Sequence, residues 1–182
     1  MQCSDIFFLG ADICQLGHDQ RKVNMLAREY CDDIKAERKP VILSHPMVMG
    51  LKEGQEKQSK SDPKSAIFMQ DTGEEVEDKI KQAYCPPSIE NNPMLNLMKL
   101  IIFEKYNSVT IFRPEEFGGN RTYTSYKELE DEYAAGKLHA GDLKPAISRL
   151  INEMIQPVWD HFQNDPYARE LYNKVKSYQI TR

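Results

Sequence analysis

Lys57-Gln58-Ser59-Lys60-Ser61, followed by Asp62-Pro63, places two lysines and two serines within five residues. When a bond to a phosphoryl group breaks, negative charge gathers on the departing oxygens. Two ammonium groups three residues apart, with the hydroxyls of Ser59 and Ser61 as further donors, can meet that charge without a nucleophile or an acid–base residue. Gly50, Gly54 and Pro63 bracket the segment and predict a mobile loop. The alternative is a solvated, charged surface loop, a common use of Lys and Ser.

Elements must position such a loop. Ile6 to Leu9 and Val41 to Leu43 are short apolar runs bounded by Gly, Pro and Ser, which predicts buried parallel strands. Val23, Leu26, Ala27, Tyr30 and Ile34 fall between them at helical spacing, so the unit reads strand, helix, strand: a fragment of a nucleotide-binding sheet. From about residue 65 the pattern turns helical, through Val76, Ile80 and Ala83, then Leu95, Met98, Ile101 and Ile102, then Tyr126, Leu129 and Tyr133. Val109 to Phe112 and Arg121 to Thr124, across the turn Phe117-Gly118-Gly119-Asn120, predict a hairpin. Asp142 is the expected N-cap of a long helix striped by Leu143, Ile147, Leu150, Ile151, Met154, Val158 and Phe162, with Pro145 in its first turn and a kink at Pro157. Asp165-Pro166 starts a last helix, with Leu171 and Val175 expected inward.

The loop closely resembles the signature lettered KMSKS in class I aminoacyl-tRNA synthetases, with Gln58 in the place of Met. Met1-Gln2-Cys3-Ser4-Asp5-Ile6, Gly10-Ala11-Asp12 and Gly17-His18-Asp19-Gln20-Arg21-Lys22 follow the order of tyrosyl-tRNA synthetases of the eukaryotic and archaeal type. The resemblance continues through Arg21 to Tyr30, Pro40 to Leu51, Lys57 to Met69, Ile80 to Cys85, Phe117 to Tyr123, Leu138 to Lys144 and Val175-Lys176-Ser177-Tyr178, nearly the whole chain. It implies an α/β fragment, the second part of a Rossmann-like catalytic domain, over residues 1–51. A KMSKS-like ATP loop over 52–65 and a mainly α-helical anticodon-binding domain over 66–182 follow. The family's first strand and helix, which carry its other ATP signature, lettered HIGH, and the insertion that forms most of its dimer contact have no counterpart in the sequence. The chain is therefore expected to be a carboxyl-terminal part that is inactive alone, requires the missing N-terminal half, and forms a homodimer only as the complete enzyme.

The resemblance also assigns residues. Lys57, Lys60, Ser59 and Ser61 would stabilise the pyrophosphate leaving ATP, which enters with Mg2+ as substrate. Gln58 would alter loop closure without abolishing chemistry. Gln2 and Gln20 would bind the amino group of tyrosine and Asp5 its hydroxyl, since an apolar pocket alone cannot reject phenylalanine. Gly17 would let a ribose approach the backbone and Asp19 would accept from its hydroxyls, although Asp19 is equally suited to cap a helix. Met47 and Val48 would border adenine or pack in the core. Phe117 would stack on an unpaired anticodon base and Asp142 accept from a guanine edge, with His139 beside them. The alternatives there are a hairpin plug and a helix cap. Arg21 and Lys22 would lie near the acceptor end of tRNA(Tyr), or simply be solvated.

Composition sets bounds. With 182 residues the chain can hold one domain or two small ones, and a net charge of −4 argues against binding RNA by bulk electrostatics. The apolar runs fall short of a membrane span, and the sequence reads as cytoplasmic. Cys3, Cys14, Cys31 and Cys85 lack metal or disulfide spacing and read as reduced thiols, with no protein-bound metal expected. Two rival functions remain: a non-catalytic RNA-binding module on a synthetase-like fold, and a tryptophan-specific relative that shares the ATP loop.

Overall fold

The computed structural model describes residues 1–59 and 61–178. The chain divides into two compact units, Met1–Met47 and Val48–Arg182.

The first unit runs α1 (Gln2–Phe8), β1 (Ile13–Gly17), a 3-10 turn His18–Gln20, α2 (Arg21–Asp33) and β2 (Val41–His45). β1 and β2 pair in parallel, in register from Ile13 opposite Val41 to Gly17 opposite His45. Parallel strands need a crossover, and α2 supplies it. Ile6 to Leu9 do not form the expected strand: Ile6, Phe7 and Phe8 belong to α1. An apolar quartet does not distinguish strand from helix by periodicity. Helical bonds from Asp5 N–H to the Met1 carbonyl (3.0 Å) and from Leu9 N–H to the Asp5 carbonyl (2.9 Å) decide it. Gly10, at φ +60°, then turns the chain out of the helix.

The strands are also less buried than expected, with Ile13 62% and Val41 53% exposed. One crossover helix covers one sheet face, and the other lies open among the described residues. α2 buries Asn24, Ala27 and Cys31, while Leu26 and Ile34 of the predicted stripe stay exposed. Tyr30 is met edge-on by Phe7 at 5.9 Å between ring centroids.

The second unit is mostly helical. α3 (Gly73–Gln82) opens with a reciprocal cap, Thr72 Oγ1 accepting the Glu75 N–H at 3.2 Å and the Glu75 carboxylate accepting the Thr72 N–H at 2.8 Å. α4 (Pro93–Leu97) runs through a widened π turn, Met98–Ile102, into the short α5 (Phe103–Lys105). The hairpin is present, with β3 (Val109–Ile111) antiparallel to β4 (Arg121–Tyr123). α6 (Tyr126–Ala134), α7 (Ala140–Asn164) and α8 (Pro166–Ser177) complete the unit. Leu51, Val76, Ile80, Met94, Leu129 and Ile147 meet in one core.

Asp142 does not occupy the N-cap. α7 begins at Ala140, so Asp142 is its third residue, and its carboxylate reaches back to accept the His139 N–H at 3.3 Å. Pro145 accordingly lies inside the helix, past the first turn, and α7 continues through Pro157 to Asn164. Asp165 does cap α8, accepting the Ala168 N–H at 2.8 Å. The inward face of α8, however, carries Ala168, which is buried, and Tyr172, whose ring packs 5.5 Å from that of Phe162. Leu171 (43% exposed) and Val175 (65%) face out. Both pairs have helical spacing, so periodicity fixes the stripe but not its direction.

Candidate functional site

In the first unit, Gln2 and Asp5 stand three residues apart in α1, hence on one helical face, and both are exposed. Gln20 ends the 3-10 turn and is half-buried; Arg21 and Lys22 open α2, exposed. Gly17, Asp19 and Met47 are brought together: a Cβ on Gly17 would run into the Met47 sulfur and stand 2.8 Å from an Asp19 carboxylate oxygen. They gather at the carboxyl ends of the two paired strands, where α/β sheets bind ligands. Val48 packs, partly buried, against the core of the second unit.

The cationic loop is braced on both sides. The Gln58 N–H donates to the Val48 carbonyl at 3.2 Å, and the Gln58 side-chain oxygen accepts the Ile67 N–H at 3.2 Å. Ser59 and Ser61 hydroxyls lie 2.8 Å apart. Lys52 donates to Asp62 at 2.5 Å, and this bond holds the Asp62 carboxyl below the usual carboxylate range. Asp62 in turn offers its carbonyl to the Ser65 hydroxyl at 2.8 Å. Gly50 is required at the base, since a Cβ there would approach Gln55 within 2.5 Å and the Lys57 carbonyl within 3.0 Å. Lys57 is exposed, and Lys60 lies outside the described residues. Lys52 and Gln55, and the bracing part that Asp62 plays, escaped the sequence reading because irregular loops leave no period to read.

In the helical unit, Phe117 ends a 3-10 turn and is 63% exposed, followed by Gly118 (φ +93°) and Gly119 (φ +68°), a left-handed pair that side-chain-bearing residues adopt only with strain. His139 and Asp142 stand at the start of α7. Arg113, which the sequence reading also missed, links these segments. Its Nε donates to the Gly119 carbonyl at 3.1 Å, its Nη1 donates to the Lys137 carbonyl at 2.9 Å, and Nη1 lies 3.9 Å from Asp142 Oδ2.

Among the described residues no three His, Cys, Asp or Glu side chains gather to hold a metal ion, and no helix is long and apolar enough to cross a membrane. Cys3, Cys14, Cys31 and Cys85 are free thiols.

The family described as tRNA synthetases class I (W and Y) matches residues 1–156. The chain belongs to that family. Within this synthetase family it is 56% identical to Tyrosine--tRNA ligase 1, cytoplasmic, of Arabidopsis thaliana, over all of this chain and 48% of the plant protein. A Leishmania major tyrosyl-tRNA synthetase in complex with tyrosinol superposes on 98% of the chain at a TM-score of 0.86 and 46% identity, over 28% of its own length. A Pyrococcus horikoshii tyrosyl-tRNA synthetase complexed with L-tyrosine gives the same TM-score at 34% identity, over 95% of this chain and 54% of that one. The chain thus spans about half the length, or less, of these synthetases. Its α/β fold with mostly helical content is that of the class I synthetases.

Proposed function

We propose that the chain is the carboxyl-terminal part of a tyrosine–tRNA ligase, which joins the tyrosine carboxylate to the α-phosphate of ATP, expels pyrophosphate and passes the tyrosyl group to tRNA(Tyr). The observation that carries this reading is the meeting of Gly17, Asp19 and Met47 at the carboxyl ends of β1 and β2. Gly17 leaves room for a ribose, Asp19 supplies acceptors for its hydroxyls, and the Met47 thioether offers an apolar surface to a base. Lys57 and Lys60 meet the charge that builds on pyrophosphate, with Ser59 and Ser61 as donors and Mg2+ entering with ATP. Gln2, Asp5 and Gln20 bind tyrosine, and Arg21 and Lys22 serve the acceptor end. Phe117, His139 and Asp142 read the anticodon. The exposed apolar face of β1 and β2 is a surface that parallel sheets cover, and the remainder of the full-length protein covers it, in a cytoplasmic homodimer.

A non-catalytic RNA-binding module is disfavoured because Gln2, Asp5, Asp19, Gln20, Lys57 and Lys60 are all retained, whereas a decayed site should have lost some of them. Against the tryptophan-specific alternative stand the relatives at 34–56% identity, all named for tyrosine, whereas a Giardia lamblia tryptophanyl enzyme shares 20% and only the fold. The test is exchange of labelled pyrophosphate into ATP by the full-length protein. Exchange is expected with tyrosine and absent with tryptophan. Exchange driven by tryptophan, or by neither amino acid, overturns the reading.

A further inference from the structure

We propose that Arg113 is the positioning residue of the anticodon reader, setting the distance between the Phe117 ring and the Asp142 carboxylate; this deepens, and rests on, the anticodon assignment above. Phe117 is too exposed for packing to fix its ring, so its place is set by the backbone that carries it. That backbone is the turn ending at Gly119, and the Gly119 carbonyl is held by Arg113 Nε at 3.1 Å. Asp142 follows the loop that contains Lys137, whose carbonyl is held by Nη1 of the same guanidinium at 2.9 Å. One rigid, planar group thus ties together two loops that are distant in sequence. Its side chain is only 6% exposed.

Three details support positioning over simple packing. The Arg113 backbone N–H also donates to the Asn120 side-chain oxygen at 3.1 Å, which closes the turn from its other end. A Cβ on Gly118 would stand 3.4 Å from Nη2, so the turn lies directly on the guanidinium. Asp142 Oδ2 accepts the His139 N–H at 3.3 Å and lies 3.9 Å from Arg113 Nη1, so the guanidinium that holds the turn also reaches the carboxylate. The Asp142 side chain keeps 18% of its surface exposed, and a guanine edge offers that carboxylate a donor. Lysine at position 113 keeps the charge but cannot hold both carbonyls in one plane.

The test compares binding of a tyrosine anticodon stem-loop, and of one altered only at the first anticodon base, by the chain and its Arg113→Lys and Arg113→Ala variants, with thermal melts alongside. The unaltered chain should prefer the tyrosine stem-loop by roughly 5- to 150-fold, the usual range for one wrong base. Arg113→Lys should melt cooperatively yet bring the preference within about threefold of parity, mainly by weakening the tyrosine stem-loop. A folded Arg113→Lys with undiminished preference overturns the inference. So does failure of both variants to melt cooperatively, since Arg113 would then support the fold and not the reader. Absence of preference in the unaltered chain defeats the anticodon assignment itself, a result distinguishable because it appears before any substitution.

Discussion

The side-chain oxygen of Gln58 accepts the backbone N–H of Ile67 at 3.2 Å, so the residue that departs from the family's signature braces the loop it sits in. Methionine at that position would pack but could not accept this bond. Removing one hydrogen bond of this kind costs about 1 kcal/mol, roughly a fivefold change in a local opening equilibrium. Hydrogen exchange at the Ile67 amide should therefore quicken by about that factor in Gln58→Met. An unchanged exchange rate would mean that Gln58 does not brace the loop.

In the full-length protein, Lys57→Ala should slow tyrosine activation by roughly 10² to 10³ while tyrosine affinity stays nearly constant, because the proposed contact with pyrophosphate would strengthen as that group leaves. Lys60→Ala should act in the same way. Stopped-flow adenylation against ATP concentration separates the outcomes. Equal losses in ATP binding and in rate would show that the lysines bind the ground state just as well.

Alkaline pH should weaken the helical unit through its phenols. Burial first, and then the hydrogen bond to Glu132, push the Tyr123 phenol up to about 12. Tyr126 and Tyr133 are raised as well, with burial again the leading cause. A folded value above the unfolded one means that the protonated phenol is favoured in the fold. The contribution is complete below about pH 10, the unfolded tyrosine value, and is lost as pH rises through the folded value. Thermal melts from pH 9 to 12, approximately this window, should show falling stability, and Tyr123→Phe should make the decline shallower. An identical slope would assign the alkaline loss to other groups.

How much of this could be read beforehand depends on what kind of order each part has. The hairpin was legible because strand runs flank a Gly-Gly turn, and α3, α6 and α7 because their apolar residues recur at helical spacing over several turns. Ile6 to Leu9 misled because a run of four apolar residues carries no period, and the bonds from Asp5 N–H to Met1 and from Leu9 N–H to Asp5 settled it as helix. Leu171 and Val175 misled for a different reason: a stripe has a period but no arrow, and Ala168 packs where they were expected. Asp142 suited a cap by residue type, and only the true start of α7 shows that it caps from the third position. Gly17, Asp19 and Met47 were each named from sequence, but their meeting depends on the β1–β2 register, which spacing does not reveal. Arg113 gave no signal, since an arginine after a strand looks like any solvated cation until its carbonyl partners are in place.

Phe117 and Asp142 make the last prediction, one that the chain as it stands can answer. The acidic net charge makes nonspecific RNA binding weak at physiological salt, so preference for a tyrosine anticodon stem-loop must come from stacking and base-edge contacts. The Phe117 ring, being mostly exposed, is available to a base, and its loss in Phe117→Ala should weaken binding by about 1 to 3 kcal/mol with little change in melting temperature. Asp142→Ala should behave differently on two counts. It should relax discrimination at the first anticodon base if, as proposed, the carboxylate is the acceptor for a guanine edge. It should also destabilise the unit by about 1 kcal/mol, because the same carboxylate caps α7 through the His139 N–H. Asp142→Asn keeps an oxygen for the cap but loses the charge, so it should restore most of the stability and little of the discrimination. Fluorescence anisotropy with the two stem-loops, read beside melting curves, separates these effects. If the two stem-loops bind the folded, unaltered chain equally, Phe117 and Asp142 serve the hairpin and the helix alone.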